Sequence, residues 1–331
     1  MIRNFGYKDD LILLTFSAGF TGNKPYFTGK PKDTRRVCHD RRVFLDPVSA
    51  HGTARSVFVV PLTFGDMKFV PLHTGEIMHI VTKGIVLRET NYKEADKILT
   101  VLTAEGGKRT VKARGCRRKG SALAAPAQLL AYSDMTLFEY KDYYNLNEGS
   151  TINLFRHLRE DLEKLALGSY FAEVVEAVAE EGRADPEILS LLLNSLYALD
   201  ALDKPIPLVK AAFELRLLCA AGYAPLADAC GVCGAEHPEK PLLNLSEGVL
   251  HCAACKEEVG EGISMPLSAG ALSALRYIVY GEAKRLFSFQ VDGESLRLLG
   301  DAAEAFLLTQ LERGFRTLDF FKSLRPLTAD Q

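Results

Sequence analysis

Ile98-Leu-Thr-Val-Leu-Thr-Ala-Glu-Gly-Gly-Lys-Arg-Thr-Val-Lys-Ala-Arg114 decides the fold of the front half. Two runs rich in β-branched residues flank Glu105-Gly106-Gly107-Lys108, and these four residues suit a hairpin turn. Working outward, Ile80-Val-Thr-Lys-Gly-Ile-Val-Leu87 precedes the hairpin, and Met135-Thr-Leu-Phe-Glu-Tyr140 and Tyr144-Asn-Leu-Asn-Glu148 follow it. Five short strands within residues 79–152 are the number needed for a small closed barrel such as an OB-fold. An SH3-like barrel has the same strand count, so the count alone does not separate the two.

The rear half reads as helix. Leu154, Leu158, Leu162 and Leu165 repeat at spacings of three and four with charges between them. Asp185-Pro186 opens a second helix through Ile188–Leu199, because proline is tolerated in the first turn. Leu208–Ala221 forms a third, stopped by Gly222 and Pro225. Ser268–Val279 and Ser295–Arg313 supply two more. The expected fold class is therefore α+β and multidomain. An OB-type β-barrel at 78–152 precedes an α-helical domain at 153–227 and 260–325, with a zinc ribbon inserted at 228–259.

Residues 1–77 read poorly as a domain, since glycines and prolines break the apolar runs. Asp9 and Asp10 lie against the short run Leu11–Phe16 and no Ala-x-Ala follows, which argues against a secretory signal. Met78 is a second candidate start, and Gly75-Glu76 can be encoded by a purine-rich ribosome-binding sequence. The expectation is that 1–77 is a non-native or disordered extension.

Composition narrows the function classes. The chain has 331 residues, 47% hydrophobic and 25% charged, which excludes overall disorder, collagen and coiled coil. No charge-free stretch exceeds 14 residues, short of the roughly 20 apolar residues a spanning helix requires. Charge is uneven: residues 78–150 carry 12 Lys+Arg against 8 Asp+Glu, and residues 151–331 carry 17 against 27. A basic front joined to an acidic rear suggests nucleic acid at one end and protein partners at the other.

Cys230-Gly-Val-Cys233 and Cys252-Ala-Ala-Cys255 are separated by 18 residues. That spacing is a zinc-site pattern, and four thiolates leave no open position for chemistry, so the zinc is expected to be structural. Leu242-Leu-Asn-Leu-Ser, a Glu247-Gly248 turn and Val249-Leu-His-Cys fit the ribbon hairpin between the two pairs. Disulfides need an oxidising compartment, and a redox C-x-x-C needs a βαβ context. His237-Pro-Glu239 upstream of Cys252 and Cys255 partly mimics a zinc deaminase, but that reading leaves Cys230 and Cys233 unexplained. His237 and His251 are taken as bystanders, and Cys219 as a core residue on an apolar helix.

Lys108, Arg109, Lys112, Arg114, Arg117, Arg118 and Lys119 place seven cations in 12 residues. Cations on a barrel face and loop suit a phosphate backbone. Seven contacts to a single strand would give a log–log salt slope near −5, at ~0.7 per contact. The bland alternative is a solvated basic face. Tyr132, Tyr140, Tyr143 and Tyr144 are weaker candidates for stacking on bases. Tyr140 is the least of them, because it shares a face with Phe138 and that face is read as core.

With those residues in place, the chain resembles the bacterial RecO recombination-mediator family of the zinc-containing type. The matching stretches are Gly84-Ile-Val-Leu-Arg88, Tyr92-Lys-Glu-Ala-Asp-Lys-Ile-Leu-Thr100, Thr103-Ala-Glu-Gly-Gly-Lys108 and Ala113-Arg-Gly-Cys-Arg-Arg-Lys-Gly-Ser121. The resemblance covers about Met78 to Leu324. It implies single- and double-stranded DNA binding and annealing of complementary strands. It also implies partnership with RecR and loading of RecA onto DNA coated by single-strand-binding protein. The family's basic loop maps onto Arg114–Lys119. The expected location is the cytoplasm, on the nucleoid and not in a membrane. No catalytic residues are expected and no ATP-binding loop is present in the sequence. The competing reading is a zinc-ribbon scaffold protein whose barrel binds protein or RNA.

Overall fold

The computed structural model describes residues 3–4, 14–15, 78–140, 143–258 and 262–328. The chain divides into two units, Met1–His73 and Thr74–Gln331. In the first, β1 (Arg3–Asn4) pairs antiparallel with β2 (Leu14–Thr15). Apart from those four residues, the reading of 1–77 as an extension lies outside the described residues.

The second unit opens with a closed barrel of β3 (Met78–Tyr92), β4 (Asp96–Thr103), β5 (Gly107–Ala113), β6 (Tyr132–Tyr140) and β7 (Tyr143–Asn153). Its order is β3-β4-β5-β7-β6. β3 pairs with both β4 and β6, which closes the ring, while β5 and β7 run parallel at Val111↔Tyr144 and Lys112↔Asn145. A simple up-and-down order would seat β6 beside β5. The parallel pair is what makes this barrel an OB-fold, the point that strand counting left open.

Strand alternation fills the barrel. Val86, Leu99, Val101, Val111, Ala113, Met135, Leu137 and Leu146 form its interior. Ile85, Leu87 and Leu102 point the other way and join the core of the helices. The barrel and the helices therefore share one continuous apolar contact. Gly107 is needed at that seam. Its φ is +61°, and a Cβ there would collide with the Arg183 carbonyl oxygen.

The helical part comprises α1 (Arg156–Glu160), α2 (Leu162–Val178), α3 (Pro186–Ala201), α4 (Ile206–Ala220), α5 (Ala269–Tyr280), α6 (Gly293–Gln310) and α7 (Arg316–Thr328). Phe171 stacks on Phe213 at 3.9 Å between ring centroids, and Tyr170 meets Phe315 edge-on. Asp185 caps α3 by accepting the Ile188 N–H, as the Asp-Pro pair suggested. The leucine repeat at 154–165 needs correction. It is split at Asp161, which ends α1 and caps α2 by accepting the Lys164 N–H, and Leu162 is 58% exposed. α7 was not anticipated, although Phe315, Leu318 and Phe321 at three-residue spacing are all buried. Between α4 and α5, β8 (Pro241–Asn244), β9 (Leu250–Cys252) and β10 (Ser264–Pro266) form a three-stranded ribbon in the order β10-β8-β9. Among the described residues no helix is long and apolar enough to cross a membrane.

Candidate nucleic-acid interface and metal centre

The seven cations of the basic stretch do not share one face. Arg109 has the parity of the buried Val111 and Ala113, and its guanidinium lies 4.4 Å from the Tyr144 ring centroid. Lys108 donates to the Glu176 carbonyl at 2.8 Å, so the end of α2 occupies it. Lys112 lies 3.3 Å from Asp96. Arg114, Arg117, Arg118 and Lys119 are exposed on the loop after β5, and no ion pair holds any of them among the described residues.

Backbone hydrogen bonds explain why that loop stands where it does. The Gly115 N–H donates to Asp96 Oδ1 at 2.8 Å, and the Arg117 N–H donates to the Ala95 carbonyl at 3.0 Å. The Arg117 guanidinium reaches the Glu94 carbonyl at 3.2 Å. Gly115 has φ +65°, which lets the chain turn back onto Asp96. The Gly115 N–H, followed by Lys112, holds the Asp96 carboxyl below its ordinary value, so it stays ionised as the anchor. The turn between β3 and β4 is thereby tied to the basic loop. That turn adds Lys93, exposed at φ 54°, to the same end of the barrel. Sequence reasoning missed Lys93 because it lies 21 residues before Arg114 and joins it only through these bonds.

The tyrosine candidates fare unevenly. Tyr144 is half-buried, donating to Glu139 at 3.0 Å beneath Arg109. Tyr132 packs against the helical core, and Tyr143 is 44% exposed. The face shared by Phe138 and Tyr140 is not the barrel interior. Ser133, Met135 and Leu137 point inward, and Phe138 meets His79 edge-on at 5.4 Å. The Tyr140 side chain lies outside the described residues.

The four cysteines converge. Cys230, Cys233, Cys252 and Cys255 place their sulfurs within 4.8 Å of one another. Cys252 Sγ stands 3.9 Å from Cys230, 3.8 Å from Cys233 and 3.2 Å from Cys255. Tetrahedral zinc with sulfur at about 2.3 Å separates its ligands by about 3.8 Å, close to two of these spacings. A disulfide needs about 2.05 Å, so none of these pairs is bonded. Burial opposes ionisation of Cys230, but the Cys233 and Cys252 N–H groups outweigh it and lower its pKa to about 6. Hydrogen bonding with Cys252 and then burial push Cys255 the other way. Four thiolates need a cation among them, so the donor set fits a structural divalent metal.

His251 and His237 are not ligands. The His251 ring is fully buried, with Nε2 2.9 Å from Ser264 Oγ and Nδ1 3.2 Å from the Cys252 carbonyl. His237 is exposed. Arg276 of α5 clamps the first knuckle from outside, donating to the carbonyls of Ala227, Asp228 and Glu236 at 2.6–2.7 Å. The free Cys219 is partly buried against the helical core.

Comparison with known proteins adds to this geometry. The family described as "Recombination protein O N terminal" matches residues 78–155, and "Recombination protein O C terminal" matches residues 159–319. A DNA repair protein RecO of Acetivibrio thermocellus is 36% identical over 247 residues, covering 74% of this chain and 97% of that relative. One of Symbiobacterium thermophilum is 36% identical over 250 residues, covering 73% and 96%. One of Anaeromyxobacter dehalogenans is 36% identical over 249 residues, covering 74% and 96%. An OB-fold joined to helices, a four-cysteine ribbon within them and full-length similarity from residue 78 together mean that this chain belongs to the RecO family of DNA repair and recombination proteins.

Proposed function

We propose that the protein is a recombination mediator that binds single- and double-stranded DNA at the loop end of its barrel. On this reading it anneals complementary strands, and with RecR it helps load RecA onto DNA coated by single-strand-binding protein. The observation that carries the DNA site is the joining of two turns. Lys93, Arg114, Arg117, Arg118 and Lys119 stand exposed there with no ion pair among the described residues. Annealing requires cations that screen phosphate repulsion yet release strands to sample register, and flexible solvated side chains on a rigid base suit that task. The family resemblance supplies RecR, RecA and single-strand-binding protein as partners. The acidic rear half repels DNA and favours protein docking. The work requires no catalytic group, so the protein is read as a non-enzyme. The cysteine centre is read as structural Zn2+, and the protein is placed in the cytoplasm, on the nucleoid.

Titration of the full chain into fluorescent single-stranded DNA at several salt concentrations tests the reading. Five phosphate contacts give an expected log–log slope of about −3.5, at ~0.7 per contact. No binding at low salt, or a slope near zero, contradicts it and favours a protein-binding ribbon scaffold.

A further inference from the structure

The loop end of the barrel carries an aromatic ring that the phosphate contacts leave unused. Tyr92 is the last residue of β3, 41% exposed, and its backbone pairs with Asp96. Lys112 Nζ stands 4.7 Å from its ring centroid and Lys93 Nζ 5.4 Å. These cations flank a partly exposed ring beside the turn that Arg117 grips. A single strand alternates an apolar base face with a charged phosphate along its length. A ring flanked by ammonium groups offers the same alternation in complement.

We infer that Tyr92 is a stacking platform for an unpaired nucleobase, with Lys93 meeting the neighbouring phosphate. The inference rests on the proposed placement of DNA at this end of the barrel and adds strand discrimination to it. Within a duplex, each base already has stacked neighbours, so Tyr92 gains a partner only from a single strand. Lys112 is shared with Asp96 at 3.3 Å, so its ammonium is held near the ring rather than free to swing away. Tyr144 is less suited to this role, since it is half-buried and its hydroxyl is held by Glu139.

The chain contains no tryptophan, so Tyr92→Trp in the full-length protein introduces its only indole. Oligothymidylate is expected to quench that emission on binding, and a duplex of equal length is expected to bind without quenching. Tyr92→Ala is expected to weaken single-strand binding about 5- to 150-fold, the range one base–aromatic stack supports. Tyr92→Phe is expected to keep the affinity, and duplex affinity should stay within about twofold throughout because the duplex offers no free base face. An indole that stays unquenched while oligothymidylate is bound overturns the inference and leaves the DNA site intact. Equal losses on single strand and duplex in Tyr92→Ala also overturn it, because they indicate a structural ring. Absence of DNA binding by the unaltered protein overturns the parent reading and this one with it.

Discussion

Stripping the proposed zinc from the four-cysteine centre is expected to unfold the ribbon and loosen the helices beneath it. Without a central cation, four sulfurs within 4.8 Å must protonate or separate. Metal binding in small zinc-dependent folds contributes roughly 10–16 kcal/mol, comparable to the whole stability of a domain, about 5–15 kcal/mol. The damage spreads because Leu243, Leu245 and Leu250 of the ribbon belong to the same core cluster as Phe306 of α6. The purified protein should carry one zinc per chain. Treatment with a strong chelator under reducing conditions, or Cys252→Ser, should lower the thermal midpoint by at least about 10 °C, at roughly 2–4 °C per kcal/mol for a domain this large. Proteolysis should then open first within residues 228–259. A metal-free, reduced protein with unchanged melting and proteolysis would show that the cysteines do not hold the fold.

Removal of the ammonium from the buried charge network is the second large effect. Lys210 of α4 is 6% exposed and Glu214, one turn on, is fully buried. Lys210 Nζ lies 2.7 Å from Glu214 and 2.9 Å from Glu304 of α6, while the Tyr170 hydroxyl donates to Glu214 at 2.7 Å. Lys322 of α7 also reaches Glu304, so the network ties four helices together. Burial works against the Lys210 charge, but Glu214 and Glu304 outweigh it and hold its pKa above the ordinary 10.5. Its contribution is therefore complete below 10.5 and is lost as the pH rises through the raised value. Burial pushes the Glu214 carboxyl up, so that group depends on its lysine to remain charged.

Lys210→Met leaves the buried Glu214 carboxylate facing an apolar side chain and is expected to cost about 3–5 kcal/mol. Urea denaturation of the single variant beside Lys210→Met with Glu214→Leu measures it. The double variant should recover part of the loss, because it removes the uncompensated charge but leaves the buried Tyr170 hydroxyl without its acceptor. A single-variant loss below about 1 kcal/mol would mean that water already reaches the pair.

Much of the architecture was legible in local residues. Glu105-Gly106-Gly107-Lys108 marks the hairpin, and C-x2-C with C-x2-C marks the metal centre, because tight turns and ligand spacing are encoded within a few positions. The DNA site was only half legible. Counting cations along the chain merged four environments. The alternation of Arg109 with Val111 and Ala113 already signals that Arg109 is turned inward. Capture of Lys108 by the end of α2, and the addition of Lys93 to the loop, depend on contacts between segments far apart in sequence. The split leucine repeat has the same lesson at short range. Asp161 satisfies a helix start, and that local bond prevails over continuing periodicity.

Parallel titration of the unaltered protein and a variant with Arg114, Arg117, Arg118 and Lys119 changed to alanine tests the central claim most directly. Both are measured against the same fluorescent single strand across a salt series. All four side chains are exposed and free of ion pairs among the described residues, and only Arg117 gives up side-chain hydrogen bonds, to the turn carbonyls, so the fold should be retained. The account predicts a slope flatter by about 2.8, with much weaker binding at low salt. An unchanged slope and affinity in a folded variant would place the DNA elsewhere on the protein.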